Sequence, residues 1–275
     1  MAAGLAVAGA AACAWGALCL LFWQGSWQLL YHPVAAVTRT PASAGLAFDA
    51  VGFATTEAGE ARLRGWWVPA GQEARFGRYT VLYLHGQDGN LGDTVDELAM
   101  LHAVGVNVLA FDYRGYGQSA FERPSEARWR EDAEWALHYL TGTRQVAAGS
   151  IVLEGRELGA NLALEVAAAH PELAGVVLRE PLDRPMDAIF GDARARLVPT
   201  RWLVEDKWDL DNAAKQVRMP VLWMAFSGGR AAKVPNDLRM EGEAPLMRVW
   251  LYDRDQKSNE WAGPFSRWLG GLPVR

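Results

Sequence analysis

The chain has 275 residues, of which 51% are hydrophobic and 21% charged, and its net charge is −5. Those proportions exclude a disordered chain, and the length suits one substantial core plus a short appendage. The acidic balance and the lack of a long basic run exclude a nucleic-acid partner, because neutralising phosphates takes clustered lysine and arginine.

Ala2 to Trp23 is almost wholly apolar, and the first charged side chain is Arg39. At ~1.5 Å per residue a helix of that length matches a hydrocarbon core of ~30 Å. Trp15, Trp23 and Trp27 suit an interfacial belt at its far end. A cleaved signal peptide and a buried helix are the alternatives. The missing Lys or Arg ahead of the run and the missing processing site favour an uncleaved anchor. Both cysteines, Cys13 and Cys19, lie inside this run, so they carry no information about redox compartment. We therefore expect residues 1–30 to be a single-pass transmembrane anchor, 31–46 a linker and 47–275 one folded domain at the membrane. The flanks carry too little charge to set an orientation.

Beyond the linker, Ala47 to Thr55 and Ala61 to Val68 are β-rich runs separated by Glu-Ala-Gly-Glu, which predicts an antiparallel hairpin. The pattern then changes to short apolar strands alternating with amphipathic helices. The strands are Tyr79–Leu84, Asn107–Phe111, Ile151–Glu154, Gly175–Leu178, Val221–Met224 and Met247–Tyr252. The helices are Leu91–Val104, Ser125–Leu140, Leu158–Ala169 and Asn259–Leu269. Such alternation means right-handed crossovers, hence an α/β fold with a mostly parallel sheet and helices on both faces. Working groups then belong on loops beyond the carboxyl ends of the strands. The Trp- and Arg-rich stretch 181–218 predicts a small helical lid over that edge, with Trp202, Trp208 and Trp223 as candidate lining residues.

Several segments, in order, resemble the α/β-hydrolases, specifically their membrane-tethered serine hydrolases of lipid and thioester acyl groups. They are Leu29-Leu-Tyr-His-Pro33, Gly65-Trp-Trp-Val-Pro69, Leu84-His-Gly86 and Phe111-Asp-Tyr-Arg-Gly-Tyr-Gly-Gln-Ser119. Pro124-Ser-Glu126, Gly155-Arg-Glu-Leu-Gly159, Pro181-Leu182 and Met219-Pro-Val-Leu222 follow. The resemblance implies the α/β-hydrolase fold and a Gly-x-Ser-x-Gly nucleophile elbow. Here the two glycines are Gly155 and Gly159, but Glu157 stands between them where the family has serine. The family's acid falls at Gly229 and its histidine at Gln256 or Lys257. The five histidines are His32, His85, His102, His138 and His170, and none follows residue 170. Whatever the register, no C-terminal imidazole is available to the elbow.

These three departures predict a degenerate triad at Glu157, Gly229 and Gln256, hence a pseudo-hydrolase that binds an acyl or lipid-like ligand or a protein partner. The residues expected to border its cleft are His85, Gly86, Gln87, Tyr113, Glu157 and Leu158. By the resemblance, the Gln87 and Leu158 amides would hold an oxyanion. Two readings of Glu157 stay open. Its carboxylate folds back onto one of those donors, or it is a helix-start residue with its head in solvent. His85 is expected to brace its loop, and Asp112 and Arg114 to fix the Asp-Tyr-Arg-Gly turn. The rival reading is an ester, lipid or thioester hydrolase with relocated groups, Ser227 or Ser258 with Lys233 or Lys257. No His/Cys cluster or Gly-rich phosphate loop occurs, so neither a metal nor another cofactor is expected.

Overall fold

Strands that are apolar on both sides need cover on both faces, and the fold supplies it. The computed structural model of the chain describes residues 2–226, 233–234, 247–252 and 261–273. Eight strands form one sheet: β1 Asp49–Thr55, β2 Ala61–Val68, β3 Thr80–Leu84, β4 Asn107–Asp112, β5 Ile151–Arg156, β6 Gly175–Arg179, β7 Val221–Phe226 and β8 Met247–Tyr252. Their spatial order is β1-β2-β4-β3-β5-β6-β7-β8. β2 pairs antiparallel with both neighbours, and every other pairing is parallel. The α/β architecture expected from the strand and helix alternation is therefore the one observed.

The long helices are α1 Ala2–Gly25, α2 Val95–Val104, α3 Glu126–His138 and α4 Leu158–Ala169, with shorter turns α5 Asp187–Phe190, α6 Thr200–Leu203 and α7 Leu210–Gln216, and α8 Ala262–Gly270 at the end. α2 and α8 pack together, and on the opposite side α4 packs against α3 and α7. The core is correspondingly divided in two by the sheet, one part around Trp129, Leu158 and Trp223, the other around Leu98, Phe265 and Trp268. α3 begins at Ser125, whose Oγ accepts from the Arg128 amide at 3.3 Å. Its buried face, Trp129, Ala133, Ala136 and Leu137, follows the helical period. α4 is buried almost all round, because the sheet lies on one side and α3 and α7 on the other.

α1 is long and apolar enough to cross a membrane. Only Phe22 along it is buried. The segment expected as a linker, 31–46, is not a free tether. His32 N donates to Gln87 O at 2.9 Å and Val34 N to Gly89 O at 3.0 Å, and the Asn90 carboxamide donates to Val34 O and Ala36 O. The loop after β3 provides the partners for these backbone groups. Stretch 181–218 contains the short turns α5, α6 and α7 and a 3-10 turn at Ala193–Arg196. Trp202 and Trp208 lie in it, whereas Trp223 is fully buried on β7 and lines no lid.

Candidate functional site

The turn from β5 into α4 is drawn tight by two glycines. A Cβ on Gly155 would meet Gly159 O at 2.1 Å, and one on Gly159 would meet Leu84 O at 2.2 Å and His85 O at 2.3 Å. No side chain fits at either position, so α4 starts in contact with the end of β3. Between them Glu157 holds φ 53°, ψ −121°. Glycine tolerates that backbone; for other residues it costs on the order of 1–3 kcal/mol. The Glu157 amide donates to Arg179 O at 2.8 Å, which ties the turn to the end of β6. A strained elbow is thus built in full, and it presents a carboxylate.

The Glu157 side chain is about one quarter exposed and sits 3.5 Å from Arg156 Nη2. Its Oε2 lies over Gly86, where an added Cβ would come within 2.8 Å of it. Burial holds its pKa above the usual carboxylate range; Arg156 opposes this, while Asp88 and Glu180 push the same way as burial.

The loop after β3 supplies the facing wall. Gln87 Oε1 accepts from the Leu158 amide at 3.3 Å, its Nε2 donates to Asp88 at 3.2 Å, and its backbone carbonyl accepts from Tyr116 Oη at 2.8 Å. The amide expected to serve an oxyanion, or to hold the Glu157 carboxylate, is therefore occupied by the Gln87 carboxamide. The fold-back of Glu157 onto Leu158 is not adopted. The head is partly exposed, flanked by Arg156 and Gly86.

His85 and Tyr113, expected at the cleft, are buried beneath it at 1% and 0% exposure. His85 Nδ1 donates to Gly86 O at 2.8 Å, a carbonyl that can only accept, so Nε2 carries the lone pair of the neutral ring. Nε2 lies 3.7 Å from Asp112 Oδ1, beyond hydrogen-bond length. Burial pushes the His85 pKa down to about 4 and that of Asp112 up to about 7, against the Leu91 and Gln118 amides that favour its anion. Tyr113 stacks on Trp129 at 3.9 Å and donates to His85 O at 3.1 Å. Both residues brace the loop, His85 through Nδ1 alone, while its buried Nε2 has no hydrogen-bond partner.

Arg114 fixes the neighbouring turn as expected. Its Nε donates to the buried Asp132 at 2.6 Å, its Nη2 to Glu131 at 2.5 Å, and its guanidinium covers the Trp135 ring at 4.7 Å. The other histidines lie elsewhere. His32 pairs with Asp88 near the chain's entry, His102 and His138 sit on α2 and α3, and His170 is held by Glu134 and Glu172 at the end of α4. Gly229 and Gln256 lie outside the described residues, as do Ser227, Lys257 and Ser258; Lys233 is exposed. Among the described residues, no group of three His, Cys, Asp or Glu is arranged to hold a metal.

A chain of charges beside the elbow was missed by the sequence reading. Arg156 Nη1 donates to Glu97 Oε1 at 2.8 Å, Arg179 Nη2 lies 3.8 Å from the same oxygen, and Arg179 Nη1 donates to the fully buried Glu154 at 3.1 Å. Arg179 also stacks over Trp261 at 4.5 Å. Burial raises the Glu154 pKa, and Arg179 counters it. The signal was present: a glutamate ends the apolar run Ile151-Val-Leu-Glu154 and an arginine closes Gly175-Val-Val-Leu-Arg179, and a buried charge calls for a partner.

A cavity of about 950 Å³ lies in the 183–211 stretch, away from the elbow. Met186, Phe190, Val198, Trp202 and Trp208 form its apolar wall, with Asp206 and Lys207 among its polar residues.

The family model described as serine aminopeptidase, S33, matches residues 77–225, more than half of the chain and the whole span from β3 through the elbow to β7. This chain belongs to the S33 family of α/β-hydrolases. An uncharacterized protein of Mycobacterium tuberculosis is 31% identical over 219 residues, covering 80% of this chain and 74% of its own. The α/β hydrolase domain-containing protein WAV2 of Arabidopsis thaliana is 25% identical over 72% of this chain and 68% of its own. Among solved structures, an esterase of Pyrococcus furiosus superposes with a TM-score of 0.68 at 20% identity, covering 88% of this chain and 98% of that one; at that identity the likeness speaks for the fold alone. Within the S33 family this chain is a member whose elbow carries glutamate.

Proposed function

We propose that this protein is a membrane-anchored pseudo-hydrolase: an S33-family fold that binds an acyl or lipid-like ligand without turning over an ester. The observation that carries the reading is the elbow, strained as a nucleophile elbow is but presenting Glu157 in place of a hydroxyl. A serine hydrolase needs the hydroxyl, a base to take its proton and free oxyanion donors, and losing nucleophile or base alone lowers turnover by roughly 10⁶. The Leu158 amide is already satisfied by Gln87, which removes a second requirement. Glu157 as a nucleophile would leave an ester with no imidazole to activate water against it. The apolar wall of the 950 Å³ groove supports the ligand half of the reading, since small-molecule sites typically measure ~300–1,000 Å³ with mostly apolar linings.

The test uses the full-length chain in mild detergent with p-nitrophenyl butyrate and palmitate, alongside titration of a fluorescent fatty acid. The reading predicts no hydrolysis above buffer and saturable binding of the fatty acid that weakens in Phe190→Glu. Turnover that disappears in Ser227→Ala or Ser258→Ala would replace it with the relocated-hydrolase reading. Absence of saturable binding would remove the ligand half.

A further inference from the structure

Helix α1 cannot both span a bilayer and keep its contacts with the folded domain unless the lid enters the membrane beside it. α1 has 24 residues, about 36 Å at ~1.5 Å each. Its carboxyl half is docked. Trp15 Nε1 donates to Leu197 O at 2.9 Å, and Cys19, Leu20 and Trp23 face Trp202, Leu203 and Glu205 around a cavity of about 360 Å³. Phe22 is buried in the core, and the Arg123 guanidinium lies 5.6 Å from the Trp23 ring. Crossing takes about twenty residues, so any span placed within the 24 residues of α1 includes Trp15 to Leu21, the part of the helix seated on the lid. Tilting the helix lengthens the stretch required.

The lid edge at that contact is built of the right side chains. Leu197 is 61% exposed, Trp202 88% and Phe190 40%. Arg196 and Arg201, exposed among them, make no ion pair among the described residues, and their long stems let the guanidinium groups reach the headgroups while the edge sits lower. The Leu197 carbonyl, costly to leave bare in hydrocarbon, has the Trp15 indole as its donor, and that one bond satisfies both groups. We infer that the Leu197–Trp202 edge of the lid is embedded in the membrane alongside α1, and that the lid groove opens towards the acyl chains. Trp202 lines both the α1–lid cavity and the groove, so a ligand dissolved in the bilayer reaches the groove without crossing water. This rests on α1 being a spanning anchor.

The test is a depth measurement on the full-length chain in phosphatidylcholine vesicles. In a background of Cys13→Ala and Cys19→Ala, single labels are placed through Leu197→Cys, Trp202→Cys or Ala147→Cys and carry an environment-sensitive fluorophore. Ala147 is exposed and precedes β5, at the opposite end of the strand from the elbow. Labels at 197 and 202 should be quenched by nitroxides on the acyl chains and shielded from aqueous iodide, and the label at 147 should behave in the opposite way. Protein that stays with the vesicles through an alkaline wash while iodide quenches 197 and 202 as it does 147 overturns the inference and leaves the anchor standing. Shielding from both quenchers, as a second copy covering the edge would give, also overturns it. Release of the chain in the wash removes the anchor and the inference together.

Discussion

Replacing Glu157 by glycine is expected to stabilise the fold. Glu157 holds φ 53°, ψ −121°, the backbone of the first central residue of a type II′ turn, where glycine is the usual occupant. Keeping a side chain there costs on the order of 1–3 kcal/mol. Two losses stand against that relief. Glycine has more freedom in the unfolded chain, worth roughly 0.5–1 kcal/mol. The 3.5 Å contact with Arg156 also goes, but that arginine is 40% exposed, and a screened pair of this kind contributes about 0–1 kcal/mol. Removing a carboxylate whose ionisation burial already opposes works in the same direction as the relief. The net is a gain of about 1 kcal/mol, or about 2–4 °C in Tm for a domain of this size. Thermal unfolding in mild detergent would compare wild type with Glu157→Gly and Glu157→Ala, the alanine keeping the strain while losing the charge. Glycine should melt highest. A Glu157→Gly protein melting 2 °C or more below wild type would refute the reasoning, because the side chain would then be held by contacts that outweigh the backbone cost.

The remaining expectations concern packing, charge and pH. Gly159→Ala should lower stability by about 1–3 kcal/mol or more, as overpacking does, because its Cβ would lie 2.2 Å from Leu84 O; an unchanged denaturation midpoint would mean the elbow is looser than described. Arg179→Met leaves Glu154 buried and unpaired and should cost about 3–5 kcal/mol, most of which returns in the double variant with Glu154→Leu; equal losses in single and double variants would show that the pairing is not the cause. Asp112 titrates near 3.8 when unfolded, while burial lifts its folded pKa to about 7. Between those values the folded state keeps a proton that the unfolded state releases, so rising pH favours unfolding, by at most ~1.4 kcal/mol per pH unit. Wild type should therefore lose stability relative to Asp112→Asn from pH 4 to 7 and hold a constant difference above it. A difference that stays constant from pH 4 to 8 would contradict the burial of an ionisable Asp112.

The glycine pair explains why the elbow could be read from residue types alone. Gly155 and Gly159 are required by backbone atoms 2.1–2.2 Å from where a Cβ would lie, a local constraint that leaves a mark at fixed spacing. The apolar strand runs are legible for a similar reason, since burial on both faces filters every position along them. What stayed hidden depends on contacts between distant segments. Nothing in Gln87 itself marks it as the partner of the Leu158 amide, because a carboxamide at a loop position suits solvent equally well. Tyr113 and His85 lie in motifs that border the cleft, yet Tyr113 stacks on Trp129 of α3 and His85 packs against Tyr113, which places both underneath it. Residues 31–46 have the composition of a tether, and only the pairing of His32–Pro33 with Asp88–Gly89 shows that they brace the loop facing Glu157.

The most direct measurement is the intact mass of the full-length wild-type protein after prolonged incubation with a fluorophosphonate. With a carboxylate on the elbow and the Leu158 amide already bonded, the mass should remain that of the unmodified chain. A stoichiometric adduct mapped to a serine would contradict the account.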